Sequence, residues 1–303
     1  MLDWTFGLSA FVATSVGLVY RGQSFLVYMP DYPPGSRTNI ASPSRYGLDR
    51  YAEVELKCRD ETIIVAYLIC QPKISTSTDL TSITLEEDVD YENSLTILYF
   101  HANAGNIGHR LPIAANLYRQ NKCNVLMVSY RGYGKSQGIP DESGIRQDSQ
   151  AALDFILAHP QLSKGKIMIF GQSLGGAVAI DLASRNPLSI HGLILENTFL
   201  SIPKLVASLI PLGQCISGFC HQRWNSESRI HLLGHLPILF LYGTADELIH
   251  QSHMEGLFQA SCPTASAAKS FVAFPGGTHN DTCTHPTYYS VVRDFLVKHR
   301  FIQ

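Results

Sequence analysis

Charge is scarce in this chain. Asp, Glu, Lys and Arg make up 16% of its 303 residues, and the formal net charge is −2. No basic run occurs, so the electrostatic footprint of a nucleic-acid-binding protein is missing. A disulfide framework is also missing. The seven cysteines (58, 70, 123, 215, 220, 262 and 283) are odd in number and lack metal-ligand spacing, so free thiols are expected. There is no His-Glu-x-x-His motif, and His101 has no second ligand at zinc-like spacing; it reads as a structural brace for its loop. The segment Ser129-Tyr130-Arg131-Gly132-Tyr133-Gly134-Lys135-Ser136 ends like a phosphate loop. A Walker A motif requires glycine where Ser129 stands, so this segment reads as a tight structural loop. No internal repeat is present. Neither a metal nor an organic cofactor is expected.

One long uncharged run lies near the amino terminus. Trp4 to Tyr20 is seventeen residues without a charge. As a helix it extends about 25 Å, against roughly 30 Å of bilayer hydrocarbon. Residues 1–24 therefore read as a hydrophobic membrane anchor. A secretory signal is the rival reading, but no basic n-region precedes the run and no small-x-small cleavage site follows. A buried or interfacial helix is the third. The nearby arginines (21, 37, 45 and 50) all follow the run, which favours a cytosolic location for the rest of the chain. The free cysteines lean the same way. So does the sequon Asn280-Asp281-Thr282, which lies where a glycan would obstruct the loop assigned to catalysis below.

Residues 25–303 read as one α/β domain. The stretch 25–50 is rich in Pro, Ser, Arg and Tyr and should run extended over a surface. Strands at 52–58 and 62–69 flank Arg59-Asp60-Glu61, the pattern of a hairpin. Residues 71–94 form an acidic, solvated loop. Short apolar strands follow at 95–100, 124–129, 166–170, 193–196, 237–242 and 270–274. They alternate with helical patterns at 107–120, 143–158, 173–185, 250–260 and 287–299. This alternation implies a mostly parallel sheet with helices on both faces. The exception is 198–234, an apolar, proline-punctuated insertion that reads as a small helical cap.

The chemistry concentrates at Ile167-Met168-Ile169-Phe170-Gly171-Gln172-Ser173-Leu174-Gly175-Gly176. An apolar β-branched strand runs into Gly-x-Ser-x-Gly and then into a helix of small residues. This is the nucleophile-elbow pattern, which holds a serine on a sharp strand-to-helix turn. A serine hydroxyl needs a histidine to take its proton and a carboxylate to orient that histidine. In this topology both should follow the serine in the order acid, then histidine, each just after a strand. Asp246 follows Leu239-Phe240-Leu241-Tyr242-Gly243-Thr244-Ala245, and His279 follows Phe271-Val272-Ala273-Phe274-Pro275-Gly276-Gly277-Thr278. Glu196 is the rival acid, and Asp281 and His285 are rivals within the last loop. The oxyanion requires two backbone donors: the amide of Leu174, and one from the loop after an earlier strand, where Asn103 is the candidate.

Five blocks occur together in order: His101 to Pro112, Tyr130 to Ser136, Gly171 to Ala179, Glu196 to Pro203 and Gly277 to Thr282. Together they closely resemble the α/β-hydrolase domain-containing protein 13 family, over about residue 25 to the C-terminus. The resemblance implies an α/β-hydrolase fold and a triad of Ser173, Asp246 and His279. It also implies an amino-terminal membrane segment in the single-pass type II orientation, the opposite of the charge reading; the orientation stays open. Neighbouring groups remove palmitoyl groups from cysteines of membrane proteins, so a palmitoyl-protein thioesterase is implied by analogy. One departure concerns the oxyanion loop, which usually reads His-Gly-Asn. Here Ala102 replaces the glycine, and alanine is strained there if the position needs positive φ.

The expectation is a membrane-anchored serine hydrolase acting on an acyl-ester or acyl-thioester, with a lipidated membrane protein as the implied partner. A non-catalytic scaffold on the same fold is one alternative. A serine peptidase is the other, although such relatives often carry a large extra domain for which this chain has no room.

Overall fold

The computed structural model describes residues 22–71, 94–211, 213–261 and 268–303. The anchor assigned to Trp4–Tyr20, all but the two end residues of the acidic loop at 71–94, and Cys262 lie outside the described residues.

Continuous apolar runs decide the architecture. Leu95–Phe100 (β3), Asn124–Ser129 (β4) and Ile238–Gly243 (β7) are buried at every position. Strands buried on both faces belong in the middle of a layered α/β sheet. They join Tyr51–Lys57 (β1), Ile63–Ile69 (β2), Lys166–Gln172 (β5), Gly192–Glu196 (β6) and Lys269–Phe274 (β8) in one eight-stranded sheet of order β1-β2-β4-β3-β5-β6-β7-β8. β2 is antiparallel to both neighbours, and every other pair is parallel.

Side chains alternate between the two faces of each strand. Leu98 and Phe100 of β3 pack on one face with Glu142–Ala158 (α2) and Leu174–Arg185 (α3). Leu95, Ile97 and Tyr99 pack on the other with Leu111–Asn121 (α1) and the helix Tyr288–Lys298. The chain leaves β3 toward β4 on one side, and β5 lies on the other. The carboxyl ends of β3 and β5 thus flank a switch point, where a crevice opens in sheets of this kind.

The helix after β5 must sit very close to the sheet. A Cβ on Gly175 would lie 2.0 Å from the Phe100 carbonyl oxygen, and backbone cannot give way as a flexible side chain can. The glycine is therefore what permits α3 to start directly over β3.

Between β6 and β7 the chain forms Ile202–Leu209 (α4) and short helical turns at Gly213–Ile216 and Glu227–Ile230. This layer is tied to the amino-terminal part of the described chain. The buried Trp224 indole donates to the Tyr28 hydroxyl at 2.9 Å, and that hydroxyl donates to Gln222 Oε1 at 2.6 Å. The Gln23 amide donates to the Phe219 carbonyl and accepts from the His221 N–H, both at 2.8 Å.

Several boundaries differ from the sequence reading. Residues 22–27 are helical and Pro43–Tyr46 forms a 3₁₀ turn, within and beside a stretch expected to be extended. The helix expected at 107–120 divides into a 3₁₀ turn, Ile107–Arg110, and α1. Pro112 accounts for this, since a residue without an N–H suits only the first turn of an α-helix. The helix read from Ser173 starts at Leu174, with Ser173 outside it at φ 54° and ψ −116°.

Among the described residues no helix is long and apolar enough to cross a membrane. No group of three or more His, Cys, Asp or Glu among them is placed to hold a metal ion. The six described cysteines are free thiols.

Candidate active site

The elbow starts from backbone strain. Ser173 has a left-handed φ of 54° that a non-glycine residue adopts only when its surroundings enforce it. They do so from both sides. Its N–H donates to the Glu196 carbonyl at 2.9 Å, and its carbonyl accepts from the Thr198 hydroxyl at 2.7 Å. The side chain is thereby pushed out at the carboxyl edge of the sheet, before the first turn of α3.

The three residues expected from strand order meet there. Ser173 Oγ lies 3.0 Å from His279 Nε2, and His279 Nδ1 lies 2.9 Å from Asp246 Oδ2. The residues are 106 and 33 positions apart along the chain, so only the sheet brings them together. The other Asp246 oxygen accepts from the N–H groups of Leu248 and Ile249 at 2.9 and 2.8 Å. The carboxylate is thus fixed by its own loop and presents one oxygen to the imidazole. The His279 and Asp246 side chains are 4% and 1% exposed, which shields their contact from water. Such an arrangement can pass a serine proton to imidazole while the carboxylate stabilises the resulting charge.

The rival residues are placed elsewhere. Glu196 is fully buried, and its oxygens accept from Gln172 Nε2 at 2.8 Å and from the Tyr288 hydroxyl. Burial pushes its carboxyl above the ordinary carboxylate range, against the pull of those two donors. Asp281 is exposed and accepts from the Thr278 N–H at 2.6 Å, which lowers its pKa and braces the turn that contains His279. His285 packs tilted against Phe274 at a centroid distance of 5.2 Å and contacts the Thr287 hydroxyl at 3.1 Å.

The loop after β3 brings Asn103 to the same cavity as Ser173, Leu174 and His279. Its carbonyl accepts from the Met29 N–H at 3.0 Å and from the Tyr133 hydroxyl at 2.7 Å, and its side-chain amide donates to the Val27 carbonyl at 3.2 Å. Leu174 is the first residue of α3, where an N–H has no intrahelical acceptor. Ala102 does not carry the feared strain: it is absent from the positive-φ residues, and Gly105 at φ 82° makes the left-handed turn instead. His101 braces this loop from beneath. It is buried between Tyr130 and Tyr133, its Nδ1 sits 2.6 Å from the Ala102 carbonyl, and burial pushes the imidazole down to about 3. Its carbonyl accepts from the Tyr130 hydroxyl at 2.9 Å. The segment that resembled a phosphate loop is therefore the support of the β3 loop.

Asn197 is a residue whose role the sequence did not reveal. It follows β6 at φ 45°, a conformation asparagine tolerates better than most side chains. Its side-chain N–H₂ donates to the carbonyls of Thr278 and His279 at 3.3 and 3.2 Å, and its Oδ1 accepts from the Gly243 N–H at 3.0 Å. One buried amide thus joins the loop that carries His279 to the strand end that leads to Asp246. An asparagine at a strand end between the elbow and the acid was the available signal. Asn197→Gly keeps the positive φ and deletes the side chain. We expect kcat to fall about 100-fold, the effect of misplacing reacting groups by roughly 1 Å, with KM nearly unchanged. Steady-state kinetics check this; a change confined to KM contradicts it.

A cavity of about 320 Å³ opens above Ser173. Its walls are apolar: Phe199, Ile202, Leu205 and Val206 from the layer between β6 and β7, with Val27 and Ile249. Among the described residues no Asp, Glu, Lys or Arg lines it.

The chain is similar to known proteins along its whole length. Residues 92–232 match the family described as serine aminopeptidase, S33. Protein bem46 of Schizosaccharomyces pombe is 42% identical over 96% of this chain and 92% of its own length. An uncharacterized membrane protein of Saccharomyces cerevisiae, YNL320W, is 36% identical over 98% and 96% of the two chains. The α/β-hydrolase domain-containing protein WAV2 of Arabidopsis thaliana is 33% identical over 97% and 94%. In solved structures, the esterase PF2001 of Pyrococcus furiosus aligns with a TM-score of 0.67 over 91% of this chain and 98% of its own, at 17% identity. That likeness concerns the fold.

Proposed function

The chain belongs to the α/β-hydrolase family, and on that premise we propose that it is a serine hydrolase that cleaves a carboxylic ester or thioester through an acyl-enzyme. The observation that carries this is the unbroken line from Ser173 Oγ to His279 Nε2, and from His279 Nδ1 to Asp246 Oδ2, at 3.0 and 2.9 Å on the floor of an apolar cavity. In this reading Ser173 attacks the acyl carbon while His279 takes its proton. Asp246 holds the imidazole in the required tautomer and stabilises its charged form. The N–H groups of Leu174 and Asn103 receive the oxyanion. His279 then returns the proton to the departing alcohol or thiol, and water repeats the sequence to release the acid.

The cavity supports an acyl substrate over a peptide. An aminopeptidase must pair the free ammonium of its substrate with a carboxylate or other acceptors, and away from Asn103, Ser173 and His279 the described walls are hydrocarbon, with no carboxylate. The segment 198–234 then serves as the cap over the acyl chain. The uncharged run Trp4–Tyr20 supports a membrane tether, which concentrates lipid-linked substrates at the site. A palmitoylated membrane protein is the substrate class that unites tether, cavity and thioester chemistry.

A panel of acyl-thioesters and acyl-esters of graded chain length tests the assignment. We expect kcat/KM to rise with chain length, as burial of each further methylene contributes about 0.8 kcal/mol. Hydrolysis of short, water-soluble esters alone contradicts the long-chain assignment.

A further inference from the structure

The exposed apolar side chains are not spread evenly. Fourteen large ones are exposed among the described residues, and eight of these lie in two segments around the cavity mouth and at Leu248 beside it. Phe25, Leu26, Ile216 and Phe219 are 78, 68, 46 and 58% exposed, and Leu209 and Ile210 are about half exposed. Leu26, Leu209 and Ile210 also line the cavity, so the rim passes directly into its walls. The Gln23 bonds to Phe219 and His221 hold the two segments side by side. Exposed apolar surface gathered in this way marks an interaction site.

The same segments contain no formal charge. Residues 22–30 and 205–222 have no Asp, Glu, Lys or Arg, in a chain that is 16% charged. A surface made for a protein partner normally carries a polar, charged rim around an apolar centre. Here the two segments are uncharged throughout, with Lys204 and Glu247 exposed only beside them. The run Trp4–Tyr20 ends five residues before Phe25, so the rim lies within about 18 Å of its end even at full chain extension.

We propose that this rim docks on the surface of a phospholipid bilayer and turns the cavity mouth toward the lipid, so that an acyl chain passes from the membrane to Ser173 without crossing water. Phe25, Ile216 and Phe219 are the docking side chains outside the cavity; Leu26, Leu209 and Ile210 form the passage. The proposal rests on the acyl-hydrolase reading above and adds the route by which the substrate arrives.

The test uses the full chain reconstituted in phosphatidylcholine vesicles, with two readouts. The first is a tryptophan reporter, Phe219→Trp. We expect brominated phosphatidylcholine to quench it beyond the parent protein. The second is a pair of substrates given to the triple variant Phe25→Ser, Ile216→Ser, Phe219→Ser. We expect a long-chain acyl-thioester embedded in the vesicles to be hydrolysed at least tenfold more slowly, and a short water-soluble ester at the parental rate. Absence of excess quenching overturns the docking proposal, as does an unchanged rate on the embedded substrate. Equal loss on both substrates overturns it too, because these side chains would then act through the fold or the reaction centre. Failure of the parent protein on both substrates rejects the hydrolase reading alone, and the quenching still decides the docking.

Discussion

Ser173→Ala is expected to lower kcat by about 10⁴- to 10⁶-fold, the range seen when one member of a serine triad is removed. The size of the effect follows from the way the groups act together. Without Oγ there is no atom to form the acyl-enzyme, and the proton acceptor 3.0 Å away has nothing to accept from. The fold should survive. Alanine meets the same φ of 54° that the serine meets, and that backbone is held by the Glu196 carbonyl and the Thr198 hydroxyl, not by the serine side chain. Steady-state hydrolysis by the variant measures the loss. Retention of a tenth of the parental rate contradicts the role assigned to Ser173.

Asp246→Asn is expected to cost about 10⁴-fold in kcat. An asparagine side chain still fits the loop, where the Leu248 and Ile249 N–H groups bond to one oxygen. Its amide, turned to His279, presents a donor where an acceptor is needed and favours the wrong imidazole tautomer. Glu196→Gln is the control. Glu196 is the other acid at a strand end, but its donors are Gln172 and Tyr288, so neutralising it should change kcat by less than tenfold. The ratio of the two effects decides between the acids. A larger loss in Glu196→Gln than in Asp246→Asn reverses the assignment.

Much of this was legible in the sequence because parallel strands buried on both faces read as short continuous apolar runs. The runs at 95–100 and 124–129 match β3 and β4 residue for residue. The order serine, acid, histidine was legible for the same reason: each residue follows a strand that periodicity can locate. What was not legible depends on neighbours distant in sequence. Nothing near Tyr133 indicates that its hydroxyl holds Asn103, 30 residues away, and nothing near Asn197 indicates that its amide reaches Thr278 and His279. The strain expected at Ala102 was a local inference that tertiary structure answered, since the left-handed turn falls on Gly105. The helix at 22–27 was missed because its apolar residues face the cavity mouth, and a run rich in Pro and Ser follows directly.

The role of Ser173 as the nucleophile is tested most directly by covalent capture. A fluorophosphonate probe forms a stable adduct with an activated serine and ignores ordinary hydroxyls. Incubation of the folded protein with the probe, followed by peptide mass spectrometry, should place a single adduct on Ser173 and none on Ser173→Ala. A folded parent protein that takes no label, or a label that persists in Ser173→Ala, contradicts a nucleophilic Ser173.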